Sequence, residues 1–266
     1  MKIGVFDSGF GGLTVLRALM DRIPGAEYLY LGDTARLPYG AKSRATVARY
    51  AASSAKFLVE QGAESLVIAC NTASALALDA IRDAASVPVL GVVETGANAA
   101  EVNSTTRDVM VIATAATVES HAYAAACSAR GLRAIEKACP LLVPLVEEGW
   151  IEHPVTAEVL RIYLAELMAQ AREAQLDPDT LVLGCTHYPL LRAQIERCVP
   201  ETLRVIDSAA VTAAQVDRKL RMPRDPLSPF APPRFFATDS VTKFRTLGSR
   251  FLGQAIDNVE LVDLGS

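Results

Sequence analysis

The sequence predicts an α/β protein built on mainly parallel sheets, and three observations carry that expectation. Short apolar runs alternate with segments whose apolar residues recur at helical spacing, the pattern of successive βα units. The apolar runs are continuous rather than alternating with polar residues, as strands covered on both faces are. One strand–cysteine–helix unit also occurs twice, so the chain reads as two halves that follow one plan.

Residues 3–6 are expected as the first strand, and Leu13, Leu16, Leu19, Met20 and Ile23 mark one face of the helix after it. A strand at 28–31, a helix over 45–61, a strand at 65–69, a helix over 72–84 and a strand at 88–93 follow. The order then restarts: a strand at 109–113, helices at 118–129 and 157–174, a strand at 180–183 and a helix at 190–197. The proline-rich stretch 223–233 lacks periodicity and reads as a loop before a last strand, 234–236, and a short closing helix. The length of 266 residues suits one large domain or two small ones.

Composition narrows the classes. Apolar residues make up 51% of the chain, enough for a sizeable core, and the 21% of charged residues argues against disorder. A net charge of −4 gives no general attraction to nucleic acid or to an anionic membrane. No stretch approaches the roughly 18–20 apolar residues of a membrane helix. The apolar start Ile3-Gly4-Val5-Phe6 is cut at once by Asp7, unlike a signal peptide, so the chain reads as cytoplasmic. Five cysteines, an odd number without a CxxC pair, argue against a disulfide framework. The three histidines lack ligand spacing with a cysteine pair, so no metal is expected.

The repeated unit is the sharpest signal. Residues 65–72 read SLVIACNT and residues 180–187 read TLVLGCTH, each a buried strand that ends in a small residue, a cysteine and polar residues before a helix. A weaker echo pairs the earlier strand ends at Asp7 and Thr114, which precede Cys70 and Cys185 by 63 and 71 positions. Ligands of open α/β sheets bind outside the carboxyl ends of strands, so two such ends facing each other would bracket a small molecule. A lone cysteine after a strand is more often a small buried hydrophobe. Two in matching settings, each before a helix whose free amides lower a thiol pKa, point to use as reactive groups.

Other motifs are weaker. Asp7-Ser8-Gly9-Phe10-Gly11-Gly12 partly fits a dinucleotide turn, with Asp33 where a ribose-binding acid belongs. Thr14 stands at the third glycine position, however, and Asp7 would oppose a pyrophosphate. The turn amides could instead hold a substrate carboxylate. His187 could polarise Cys185 or a substrate, or be structural. His121 and His153 read as surface or packing residues, and Cys127 and Cys198 as structural. Cys139, before Pro140 in a loop, has no evident role. Pro38-Tyr39-Gly40 reads as a turn, and Glu147 with Glu148 as a solvated helix end. Lys2, Lys42, Lys56, Lys137, Lys219 and Lys243 all lie away from predicted strand ends beside the motifs, so a Schiff-base cofactor is not expected.

The motifs Ile3-Gly4-Val5-Phe6-Asp7-Ser8-Gly9, Pro38-Tyr39-Gly40, Ala69-Cys70-Asn71-Thr72, Ala138-Cys139-Pro140 with Glu147, and Gly184-Cys185-Thr186-His187-Tyr188-Pro189 together closely resemble the glutamate racemases. The resemblance spans nearly the whole chain. Aspartate racemases resemble it around the first thiol but carry Glu where His187 stands. It implies two pseudo-symmetric α/β domains, residues 1–95 plus 208–266 and residues 96–207, with the active site in the cleft between them. It implies a cofactor-independent interconversion of L- and D-glutamate that supplies D-glutamate for peptidoglycan. By the same resemblance Cys70 takes the α-proton from D-glutamate and Cys185 from L-glutamate, with Asp7 assisting the first thiol and His187 the second. Asp7, Ser8, Pro38, Tyr39, Gly40, Asn71, Thr72, Thr186 and His187 match substrate-binding positions, and Thr114, Thr117 and Glu147 match them less closely.

Thr95 stands where the family has a proline, near the expected domain crossing. The chain begins directly at its first strand, so activation by a cell-wall precursor through an N-terminal extension is not expected. Nothing in the acidic composition supports a side role at a DNA enzyme. The expected partner is the small-molecule substrate, and the expected assembly a homodimer. The alternatives are an aspartate or hydantoin racemase of the same fold, or a non-catalytic amino-acid-binding protein.

Overall fold

The structure, a computed structural model, describes residues 1–220 and 231–265, so most of the proline-rich stretch lies outside the described residues. The chain runs β1 (Lys2–Asp7), α1 (Leu13–Arg22), β2 (Glu27–Gly32), α2 (Arg44–Glu60), β3 (Ser65–Ile68), α3 (Asn71–Leu76), α4 (Leu78–Ala84), β4 (Val89–Gly91) and α5 (Val92–Asn103). It continues through β5 (Asp108–Ala113), α6 (Ala115–Glu119), α7 (Ala122–Ser128), β6 (Arg133–Ala138), α8 (Leu142–Glu147), α9 (Pro154–Glu173), β7 (Thr180–Gly184), α10 (Arg192–Cys198) and β8 (Arg204–Asp207). It closes with α11 (Ser208–Leu220), β9 (Arg234–Ala237), α12 (Val241–Leu252) and β10 (Glu260–Leu261). Two compact units divide it: Met1–Val92 with Ala209–Ser266, and Val93–Ser208.

Each unit holds one sheet, ordered β10-β9-β2-β1-β3-β4 in the first and β6-β5-β7-β8 in the second. Every pairing in both is parallel. The order β2-β1-β3-β4 matches β6-β5-β7-β8 strand for strand, so the repeated unit of the sequence is a repeated topology. The first unit adds β9 and β10 beside β2. Strands β3, β5 and β7 are buried along their whole length, which is why their sequences are continuously apolar. In the first unit Phe10, Tyr30 and Phe244 pack ring against ring, with centroids 5.8 and 5.9 Å apart. In the second, Leu160, Leu164 and Leu167 turn the inner face of α9 into the core.

Several expected elements differ in detail. The helix over 72–84 is two helices broken at Ala77. Ser74 ties α3 to the sheet, its hydroxyl donating to the Ile68 carbonyl and accepting the Val92 N–H. That last bond takes Val92 off the ladder, so β4 stops at Gly91 and α5 begins. The helix over 118–129 is also two, with His121 left-handed at φ 54° between them. Ser120 competes with the backbone there, donating to the Thr117 carbonyl and accepting the Ala122 N–H. The helix at 190–197 starts only at Arg192, after a 3₁₀ turn at Tyr188–Leu191 that contains Pro189.

Strand β9 is not the last, because β10 pairs with it. Strand β6 lies at a sheet edge and mixes Arg133, Glu136 and Lys137 with alanine and isoleucine, which hid it. Lys137 therefore does lie on a strand, with its ammonium 2.5 Å from Glu166 of α9. Among the described residues no helix is long and apolar enough to cross a membrane.

Packing in the first unit is tight where β1 turns into α1. A Cβ at Gly12 would stand 2.5 Å from Asp7 Cβ and 2.9 Å from Ala69 Cβ. Gly12→Ala is therefore expected to destabilise the fold by about 1–3 kcal/mol, as overpacking against backbone-fixed atoms does. Urea unfolding checks this, and an unchanged midpoint would mean that the turn has room for a side chain.

Candidate active site

In each sheet the chain passes from the first central strand to one neighbour and later fills the other side, leaving a topological switch point between β1 and β3 and between β5 and β7. Ligands of open α/β sheets bind outside the carboxyl ends at such points. Phe6 pairs with Ile68, so Asp7, Ser8 and Cys70 leave the first sheet side by side. Ala113 pairs with Gly184, so Thr114 and Cys185 leave the second sheet in the same way.

In the first unit Cys70 is the N-cap of α3. Its sulfur accepts the Ala73 N–H at 3.4 Å and lies 3.5 Å from Ser8 Oγ. The thiol is pushed up to about 12 by burial and then by the negative charge of Asp7, and the hydrogen bonds from Ser8 and Ala73 do not offset this. The sequence had suggested that a helix N-terminus would lower this pKa. α3 is only six residues long, and desolvation with the Asp7 charge outweighs the hydrogen bonds from the Ala73 backbone and from the side chain and backbone of Ser8.

Asp7 is buried, with Oδ2 accepting the Gly9 N–H at 2.9 Å. The N–H groups of Leu13, Thr14, Val15 and Leu16 are bound to the carbonyls of Phe10, Gly11 and Gly12. These amides of the first turn of α1 are thus already used within the chain and are not free to hold a dinucleotide's phosphates. Asp33 does not face outward as a ribose ligand either. It is fully buried, accepting the Tyr39 hydroxyl at 2.5 Å and the Thr238 hydroxyl at 2.9 Å. Pro38 is the N-cap of a 3₁₀ turn, Tyr39–Ala41, that carries Tyr39 and Gly40. Asn71 and Thr72 open α3 and are both buried.

In the second unit Thr114 is the N-cap of α6, with Oγ1 2.9 Å from Thr117 Oγ1. Cys185 Sγ lies 3.9 Å from His187 Nδ1, and His187 Nε2 lies 3.3 Å from Glu147 Oε1. Thr186 lies buried between this thiol and the ring in sequence. Burial pulls the His187 pKa down, but its bonds to Cys185 and Glu147 prevail and push it up to about 10. The Tyr188 hydroxyl donates to the Cys139 carbonyl at 3.0 Å and pins the segment that carries Thr186 and His187. Cys139, without evident role in the sequence, thus supplies that anchor.

Glu147 corrects the reading of a solvated helix end, since its side chain is 17% exposed and turned to His187. A carboxylate in the last turn of a helix opposes the helix dipole, and that mismatch was the sequence signal available for it. The remaining histidines are outside both clusters. His121 pairs with Glu136 at 3.3 Å, and His153 caps α9 and stacks on Trp150. Cys127 is buried in α7, and Cys198 ends α10 partly exposed. Among the described residues no group of three His, Cys, Asp or Glu side chains is placed to hold a metal ion.

The family model for Asp/Glu/Hydantoin racemase matches residues 13–216. The chain is 54% identical to the glutamate racemase of Koribacter versatilis, an alignment covering 99% of this chain and 97% of that one. It is similar in structure to the glutamate racemase of Francisella tularensis in complex with D-glutamate, with TM-score 0.88, 34% identity and coverage of 99% and 97% of the two chains. It is similar also to the Thermus thermophilus glutamate racemase in complex with beta-chloro-D-alanine, with TM-score 0.85, 42% identity and coverage of 99% and 97%. With a family model matched across both units and a relative this close over almost its full length, the chain belongs to the Asp/Glu/Hydantoin racemase family.

Proposed function

We propose that the protein interconverts L- and D-glutamate by moving the α-proton with Cys70 and Cys185, without a cofactor. The observation that carries this reading is the repetition of one thiol-bearing switch point in both units, each thiol with its own ionisable partner. The close relatives named glutamate racemase support glutamate as substrate.

Racemisation needs a base on one face of Cα and an acid on the other, because a single group would tend to return the proton where it found it. The two thiols are served differently. Burial and the charge of Asp7 favour the protonated thiol at Cys70, the form of an acid. His187 holds its proton strongly, and an imidazolium beside Cys185 is a counter-ion for a thiolate, the form of a base. From L-glutamate, Cys185 would take the α-proton as Cys70 delivers its own to the opposite face. From D-glutamate the roles reverse, with Asp7 assisting Cys70.

The carbanion forms next to a carboxylate, so the substrate needs donors that are already oriented. Ser8, Asn71 and Thr72 with Pro38, Tyr39 and Gly40 would bind it from the first unit. Thr114, Thr117, Glu147, Thr186 and His187 would bind it from the second. The enzyme would work in the cytoplasm as a homodimer and supply D-glutamate for peptidoglycan. The exposed Leu141, Trp150, Val155 and Ile162 of the second unit support self-association, which sedimentation velocity tests.

Circular dichroism of L-glutamate incubated with the protein should decay to zero, while L-aspartate keeps its signal. Loss with aspartate alone would overturn the substrate. Cys70→Ala and Cys185→Ala should each cut racemisation by about a hundredfold to ten-thousandfold, the usual worth of a positioned acid or base. The rate of deuterium entry from solvent at Cα, measured by NMR, checks both, and racemisation by the double variant would refute the two-thiol reading.

The folded state holds the His187 proton more tightly than an unfolded chain, whose histidine titrates near about 6.5. His187 thus stabilises the fold fully below about pH 6.5, and the contribution is lost as pH rises through about 10. Melting temperatures of the wild type should fall more steeply across that window than those of His187→Asn. Parallel curves would mean that the ring is not charged in the folded state.

A further inference from the structure

The mechanism proposed above leaves unused the Asp33 carboxylate, which is fully buried at the end of β2. Three side chains converge on it, two from the loop after β2 and one from the residue that follows β9. The Tyr39 hydroxyl donates to Oδ2 at 2.5 Å, the Thr238 hydroxyl to Oδ1 at 2.9 Å, and the Arg36 guanidinium lies 3.5 Å from Oδ2. The Asp33 N–H also donates to the Asp7 carbonyl at 3.0 Å, which ties the residue to the end of β1. Arg36 is itself held, over the Tyr50 ring at 4.6 Å and on the Gly265 carbonyl.

A buried carboxylate is expensive to keep where only packing is needed, since an apolar side chain of similar size fills space without the desolvation penalty. Burial pushes the Asp33 carboxyl up, and Tyr39, Arg36 and Thr238 pull it back. What the carboxylate adds over an apolar filler is direction. It grips the Tyr39 hydroxyl in the loop after β2, while the Thr238 hydroxyl and the Arg36 guanidinium hold the carboxylate and the Asp33 N–H ties its backbone to β1.

We propose that Asp33 is a positioning residue for substrate binding, which holds the Tyr39 hydroxyl and so fixes the backbone of Tyr39 and Gly40 where a glutamate carboxylate docks. The inference rests on the reading of Tyr39 and Gly40 as substrate-binding residues. Asp33 acts wholly through Tyr39 and touches no substrate. Its removal should weaken substrate capture more than turnover, whereas a merely structural role would lower the amount of active enzyme and leave KM alone.

Steady-state racemisation of Tyr39→Phe, Asp33→Ala, Asp33→Asn and the Tyr39→Phe/Asp33→Ala double variant tests this. Tyr39→Phe keeps the ring and deletes only the hydroxyl. It and Asp33→Ala should each raise KM for glutamate about tenfold, as loss of one hydrogen bond to a charged group does, with kcat changed less. Asp33→Asn, which keeps an acceptor for the hydroxyl, should recover part of the loss. The double variant should be no worse than the poorer single one, because one bond carries both effects.

If Asp33→Ala fails to fold, Thr238→Val loosens the same carboxylate from the other side and should raise KM by about threefold. Unchanged KM in Tyr39→Phe and Asp33→Asn, or effects that multiply in the double variant, would overturn the proposal. Racemisation by the wild type in the same assay reports separately on the proposed function. Should it fail, the Kd of D-glutamate by calorimetry on the same variants still decides the positioning role, with the same tenfold loss expected.

Discussion

Parallel strand pairing is the constraint on which the candidate site depends. Phe6 opposite Ile68 and Ala113 opposite Gly184 bring two pairs of strand ends level, and everything reactive follows within a few residues of those ends. Strands buried on both faces leave their polar residues only at the ends, where the ladder stops. A cysteine placed one or two residues beyond such a strand is therefore desolvated, and Cys70 also stands at the first turn of a helix. In the first unit these two influences oppose each other directly, and desolvation prevails at Cys70. The same pairing forces Gly12 to lack a side chain, since Asp7 and Ala69 come from the two strand ends it has to pass.

The two units share a topology but not an electrostatic setting. Asp7 places a negative charge near Cys70, which works against a thiolate, while the group near Cys185 is the His187 ring, which holds its proton strongly. A symmetric site would leave both thiols in the same form at rest. A two-base reaction that starts from either enantiomer needs one acid and one base at every moment, so unequal partners on equivalent scaffolds are what such chemistry asks of the sequence.

The thiols and their immediate neighbours were legible because they sit in short linear motifs whose repetition the eye can compare. The strands of both sheet centres were legible for a related reason: full burial writes a continuous apolar run. Strand β6 was not, because an edge strand is only half covered and tolerates Arg133, Glu136 and Lys137. Helix α8, six residues long with Pro144 inside, has too few turns to show a period. Helices over 72–84 and 118–129 read as continuous because their breaks, at Ala77 and at His121 beside Ser120, fall within runs whose apolar spacing carries on across them. The partner of Glu147 stands 40 positions away and that of Asp33 on Thr238 stands 205 away, and no local pattern records such pairings.

Those two carboxylates point to a common design. In the second unit Glu147 holds the far nitrogen of His187, and in the first Asp33 holds the hydroxyl of Tyr39. Each sits one step behind a residue that the racemase reading places against substrate, and each is mostly withdrawn from water. A hydrogen bond to an ionised group in such surroundings is stronger and more directional than one between neutral groups. It fixes the orientation of its partner before substrate arrives, so that little ordering remains to be done at the reaction step. The cost of burying a carboxylate in each unit is then matched by what it orients: a ring that keeps its proton beside Cys185, and the Tyr39 hydroxyl of the loop after β2.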